Sequence, residues 1–126
     1  MVITQGLTYQ YPETTPIHFP DMEVDAGQAL LVCGESGCGK TTLLHLLAGL
    51  RSPTGGEIRI GGNKTSQLSA ADMDRFRGQK IGIVYQQSFF IQSLSVLDNL
   101  MLSLFQPYFY QVHMERASSY SVIVRP

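Results

Sequence analysis

Most of what the 126-residue sequence lacks narrows its function. It has no apolar run approaching the ~18 residues that cross a bilayer. It has no excess of basic side chains: nine Lys and Arg stand against ten Asp and Glu. That balance, with no basic stripe, argues against a broad nucleic-acid footprint, so no nucleic-acid partner is expected. There are only two cysteines, Cys33 and Cys38. Two thiols do not complete a zinc site, and bridging them would distort the glycine-rich segment around them. Both are expected to be reduced. The opening Met1-Val2-Ile3-Thr4-Gln5 has no basic stretch followed by an apolar one, so no export signal is expected and the cytosol is the default compartment.

What is present reads as one α/β domain with a modest core: 44% of residues are hydrophobic and mean hydropathy is close to zero. Its most informative string is Gly34-Glu35-Ser36-Gly37-Cys38-Gly39-Lys40-Thr41, a complete G-x-x-x-x-G-K-[ST] phosphate loop, followed by Thr42. The glycines let successive backbone N–H groups turn toward phosphate oxygens. Lys40 can reach the β- and γ-phosphates, and the Thr41 hydroxyl can join a Mg²⁺ shell. Residues 34–42 are therefore candidate ATP-binding positions, with Thr41 also a metal ligand. Ala29-Leu30-Leu31-Val32-Cys33 before the loop predicts a strand buried on both faces. Leu43, Leu46, Leu47 and Leu50 after it predict a helix over 40–50, whose N-terminal dipole would face the phosphates. Cys38 sits near that helix start and Lys40, two features that lower a thiol pKa.

The first thirty residues read as β-rich. Val2-Ile3-Thr4 and Leu7-Thr8-Tyr9 are strand-like, and Ile17, Phe19, Met22 and Val24 could line a second strand. Glu57-Ile58-Arg59-Ile60 alternates as a half-exposed strand between glycine turns. Ser69 to Asp72 predicts a capped helix through about Arg77, and Ser95 to Asp98 another through about Phe105. A strand spans residues 80–85, followed by a polar-aromatic loop over 86–93. A small nucleotide kinase usually carries its phosphate loop close to the N-terminus, so the long β leader favours another branch of the P-loop proteins.

Together these strings resemble the ATP-binding subunits of ABC transporters. Leu7-Thr8-Tyr9-Gln10-Tyr11-Pro12 is similar to the family's opening strand, and the resemblance implies that Tyr11 stacks on adenine, with Tyr9 as rival. Ala48-Gly49-Leu50 and Pro53 to Ile58 look like the segment after the phosphate-loop helix. Ile81-Gly82-Ile83-Val84-Tyr85-Gln86 resembles the strand ending in the family's Q-loop glutamine, which implies that Gln86 contacts Mg²⁺ or the attacking water. A glutamine amide offers both a donor and an acceptor without charge. The stretch 89–97 would then face a transmembrane permease subunit. The texture of residues 72–104 is closest to lipoprotein-releasing and macrolide-exporting subunits. The resemblance implies a P-loop NTPase fold with ATP and Mg²⁺ as cofactors, a second nucleotide-binding subunit, and a peripheral place on the inner face of the cytoplasmic membrane.

The departures from the family are equally specific. No Leu-Ser-Gly-Gly-Gln signature occurs, nor a four-residue apolar strand ending in Asp-Glu, nor a matching switch histidine. Without the base and second metal ligand, phosphoryl transfer lacks a positioned nucleophile, so no catalytic residue is assigned and hydrolysis by this chain alone is not expected. Residues 1–117 read as a partial nucleotide-binding domain with an incomplete core sheet. Residues 118–126 read as an atypical tail, of the kind a frameshift or premature stop leaves. Two other readings stay open: a free-standing small P-loop kinase or NTPase, with Arg75, Arg77 or Arg116 as phosphate clamp, and a non-catalytic fragment that occupies the permease site.

Overall fold

A computed structural model describes residues 1–84, 90–105 and 121–124, with side chains described through residue 101. The elements run β1 (Val2–Tyr9), β2 (Ile17–His18), β3 (Met22–Val24), α1 (Lys40–Leu47), β4 (Gly55–Ile60), β5 (Asn63–Lys64), a 3₁₀ turn at Thr65–Gln67, α2 (Ala70–Lys80), β6 (Ile81–Val84), α3 (Val96–Phe105) and β7 (Ser121–Val124). β1 is the spine of an antiparallel sheet, pairing β4 on one side and both β2 and β3 on the other, with β5 beyond β4.

The two strand-like pieces of the leader form one strand because Gly6 makes a bulge. Thr4 and Leu7 are both buried, a spacing that strict alternation forbids, and the register against β4 shifts between Gln5 and Thr8. Gly6 adopts φ +55 there. Opposite it stands Gly56 at φ +77, where a Cβ would lie 2.3 Å from the Gly6 carbonyl oxygen. The expected second strand is divided into β2 and β3. Pro20 between them has no N–H to give the ladder, and the Gly6 N–H donates instead to Asp21 Oδ1 at 2.7 Å. Buried Thr4 stays satisfied: its hydroxyl donates to the Pro20 carbonyl and accepts from the Met22 N–H.

The core lies between this sheet and α1. Leu43, Leu46 and Leu47 pack against Leu7, Ile58 and Ile60, with Phe19, Met22 and Phe76 partly buried around them. α1 stops at Leu47 rather than Leu50, because Gly49 turns left-handed at φ +65 and the Leu50 and Arg51 N–H groups return to the His45 carbonyl. Ser69 caps α2 as expected, its hydroxyl accepting from the Asp72 N–H. α2 runs on to Lys80, beyond the expected Arg77.

One strand expectation is corrected. Ala29–Cys33 is not a strand: among the described residues nothing pairs with it, and Leu30 and Leu31 are 51% and 79% exposed. A strand needs partners for its backbone groups, and none of the described segments supplies them. Farther along, Ser121–Val124 forms β7, which pairs antiparallel with β6.

Candidate functional site

Gly39 precedes α1 in a left-handed conformation, φ 96, and a Cβ there would press on Ile17 and Phe19 at 3.3 Å. The leader sheet thereby sets where the phosphate loop meets its helix. The first helical hydrogen bond runs from the Leu43 N–H to the Gly39 carbonyl, so the N–H groups of Lys40, Thr41 and Thr42 precede it. No side chain caps this helix and no acidic residue lies in its first turn. The positive end of the helix dipole is therefore left to a ligand.

Lys40 folds back over the loop. Its Nζ donates to the carbonyls of Gly34 at 2.8 Å and Glu35 at 2.6 Å, and reaches Cys38 Sγ at 3.6 Å. Two of these acceptors are main-chain carbonyls, and no described carboxylate pairs with the ammonium. A cradle holding an unneutralised cation beside an uncapped helix start fits a polyphosphate. Ser36 and Thr41 are exposed on it, as are Gly37 and Cys38. Thr42 is different. It is buried, and its hydroxyl lies 2.9 Å from the Tyr11 hydroxyl, so only its main chain remains available to a phosphate.

Tyr11 is thus brought beside the start of α1, next to the phosphate loop. It is not alone there. Tyr9 meets it edge to face, with ring centroids 4.8 Å apart, and the Arg51 guanidinium lies over both rings while donating to the Tyr9 hydroxyl at 2.7 Å. The reading of the sequence missed Arg51, because the contact joins residues 42 apart and nothing in the string Leu50-Arg51-Ser52 marks it. Gln86 lies outside the described residues, as do Tyr85, Phe89, His113 and Arg116.

The two described candidate clamps, Arg75 and Arg77, do not gather at the loop. Arg77 donates to the Gly49 carbonyl at 2.6 Å and pairs with Asp74, tying α2 to the end of α1. Arg75 pairs with Asp72 on an exposed face. His45 is half-buried on α1, and His18 is exposed on β2.

Beyond β6, Asn99 organises residues 90–95. Its Oδ1 accepts from the Ile91 N–H, and its Nδ2 donates to the carbonyls of Ile91, Leu94 and Ser95. The turn so held presents Phe90, Ile91 and Leu94 outward, continuous in sequence with exposed Val96, Leu97 and Leu100 on α3.

The family model for ABC transporters matches residues 18–123. The chain belongs to the ABC transporter family. It is 39% identical over 108 residues to the lipoprotein-releasing system ATP-binding protein LolD of Chromohalobacter salexigens, covering 82% of this chain and 46% of that protein. It is 44% identical over 84 residues to LolD of Hydrogenovibrio crunogenus, covering 67% of this chain and 36% of that one. Its fold matches the MJ0796 ABC transporter cassette, solved as a dimer, with TM-score 0.74 and 30% identity over 91% of this chain and 50% of that one. The same cassette solved with ADP and Pi matches equally well. This ABC family chain spans about a third to a half of the length of the relatives it matches, and its fold is the P-loop α/β architecture with a β-rich leader.

Proposed function

We propose that this chain forms the ATP·Mg²⁺-binding portion of an ABC transporter ATPase subunit of the lipoprotein-releasing type. One observation carries the reading: Lys40 and the uncapped start of α1 converge on a cradle whose positive charge has no counter-ion among the described residues. Lys40 would exchange its carbonyl partners for β- and γ-phosphate oxygens, while the backbone of residues 34–42 follows the polyphosphate. Thr41 would give one hydroxyl to Mg²⁺, which usually keeps waters and phosphate oxygens as its other ligands, and Gln86 is proposed as a second. Tyr11 would stack on adenine. When bound, ATP would supply a transferable γ-phosphoryl group. These 126 residues hold neither the Asp-Glu strand nor the signature that would act on it.

The partners proposed are a second nucleotide-binding subunit and a transmembrane permease at the inner face of the cytoplasmic membrane. The exposed apolar run from Phe90 to Leu100 supports the permease contact, since an apolar patch of that kind commonly marks a protein interface. No described helix is long and apolar enough to cross a membrane.

The test is equilibrium binding of ATP with Mg²⁺, together with steady-state hydrolysis, for the chain and for Lys40→Ala. Loss of at least about tenfold in affinity in the variant, with negligible turnover in both, is the expected outcome. Robust turnover abolished by the substitution would favour the free-standing NTPase instead.

A further inference from the structure

Arg51 has no place in the motif that defines the site, yet it joins the two tyrosines that close the site's edge. Its main chain lies just past α1, where the Arg51 N–H donates to the His45 carbonyl. Its guanidinium carbon lies 5.1 Å from the Tyr11 ring centroid and 5.5 Å from that of Tyr9, and Nη1 donates to the Tyr9 hydroxyl. Tyr11 is consequently fixed at three points: its hydroxyl on Thr42, its ring against Tyr9 at an interplanar angle of 83°, and the cation over it. Three separate stretches of chain, residues 9–11, 42 and 51, contribute to this arrangement.

We propose that Arg51 is a positioning residue for nucleobase recognition, holding Tyr11 oriented as the aromatic platform beside the phosphate loop. The inference rests on the ATP-binding reading above and deepens it. A tyrosine that follows the end of a strand, as Tyr11 does, is otherwise free to rotate about its side-chain torsions, and ordering it upon binding would weaken the complex. A planar guanidinium held by a hydrogen bond and facing the ring removes that freedom beforehand. Arg51 engages the Tyr9 hydroxyl, the two tyrosine rings and the His45 carbonyl rather than residues 34–41, so its effect should be confined to ligands that carry a base.

That confinement defines the experiment. The full chain, Arg51→Ala, Arg51→Lys and Tyr11→Ala would each be titrated with ATP and with inorganic tripolyphosphate, both with Mg²⁺. Their far-UV circular dichroism would be compared to confirm the fold. Arg51→Ala should weaken ATP by about two- to fivefold while leaving tripolyphosphate unchanged. Arg51→Lys should recover part of the loss, since the charge is kept but the planar fork is not. Tyr11→Ala should show the same discrimination, more strongly. Equal weakening of both ligands would make Arg51 merely structural and overturn the proposal. Unchanged or tighter ATP binding in Arg51→Ala would overturn it as well, the latter meaning that the guanidinium blocks the ring. Failure of the unaltered chain to bind tripolyphosphate would instead defeat the phosphate-loop reading itself, a result distinct from the other two.

Discussion

Helices α1 and α3 both carry apolar residues at helical spacing, yet they meet opposite fates. Leu43, Leu46 and Leu47 of α1 are closed against the leader sheet, whereas Val96 and Leu97 of α3 are 76% and 66% exposed. The same contrast separates β4 from the stretch 29–33. Ile58 and Ile60 are sealed beneath α1, while Leu30 and Leu31 face outward with no described strand beside them. Apolar periodicity states which face must be covered, and only the rest of the chain decides what covers it. In this molecule one cover, the β-rich leader, is in place over α1. Among the described residues, the other side stands open over an exposed apolar run.

The largest predicted effect tests that division directly. Leu46→Ala should cost about 2–5 kcal/mol, since it leaves a cavity at the centre of the closed unit. Leu97→Ala should change stability by less than about 0.5 kcal/mol. Urea midpoints followed by far-UV circular dichroism would measure both. Equal losses would mean that α3 is as well packed in solution as α1, and the comparison would break.

A second prediction concerns the bulge that lets β1 bury Thr4 and Leu7 together. Gly56→Ala places a methyl group against the Gly6 carbonyl at a left-handed residue, so about 1–3 kcal/mol should be lost. Gly62 is also left-handed, but a methyl group there would meet nothing within 4 Å, so the same change should cost less. A reversed order would show that conformational strain, rather than the close approach of β1 and β4, governs this sheet.

These two positions also show what the sequence made legible and what it hid. The phosphate loop, the α1 stripe and both Ser-to-Asp caps were readable because each depends on residues within a few positions of one another. The alternation of Ile58 and Ile60 was readable for the same reason. The bulge at Gly6 was not, since it shows only when β4 is laid beside β1. Pro20 was visible, but its effect on the β2–β3 ladder depends on the register against β1. The buried strand assigned to residues 29–33 failed because its apolar content implies partners that no described residue provides. At the site, Tyr11 was singled out through the family's pattern as a candidate, but its hydroxyl contact with Thr42 and the cover of Arg51 come from chain segments that only folding unites.

On the open side, the Asn99 side chain ties together the main chain of residues 91–95. Asn99→Ala removes four hydrogen bonds to the main chain of that turn, all partly solvated, for an expected cost of about 1 kcal/mol. The loss should be local. Amide exchange at Ile91 and Leu94 should accelerate while that of Leu46 stays unchanged, because the turn and the closed core share no described core residue. Acceleration at Leu46 would join the two regions into one cooperative unit and sharpen the comparison away.

The smallest effect is expected on the outer face of the closed unit, where Glu57 pairs with Lys64 and Arg59, each at 2.6 Å. Hydrogen bonding from Lys64, then from Arg59, holds the Glu57 carboxyl below its ordinary range. A lowered pKa in the folded state means that the ionised form is favoured by folding. Its contribution is therefore complete above the ordinary carboxylate value, ~4.3, and is lost as pH falls through the lowered folded value. Thermal midpoints of the chain should fall on acidification from about pH 6 to about pH 3, and Glu57→Gln should lessen the part of that fall due to this group. Added salt should lessen it too, because these side chains are partly exposed and screened. A Glu57→Gln profile parallel to the unaltered one, at low salt, would show that this ion pair does not carry the acid sensitivity and would remove the outer face from the comparison.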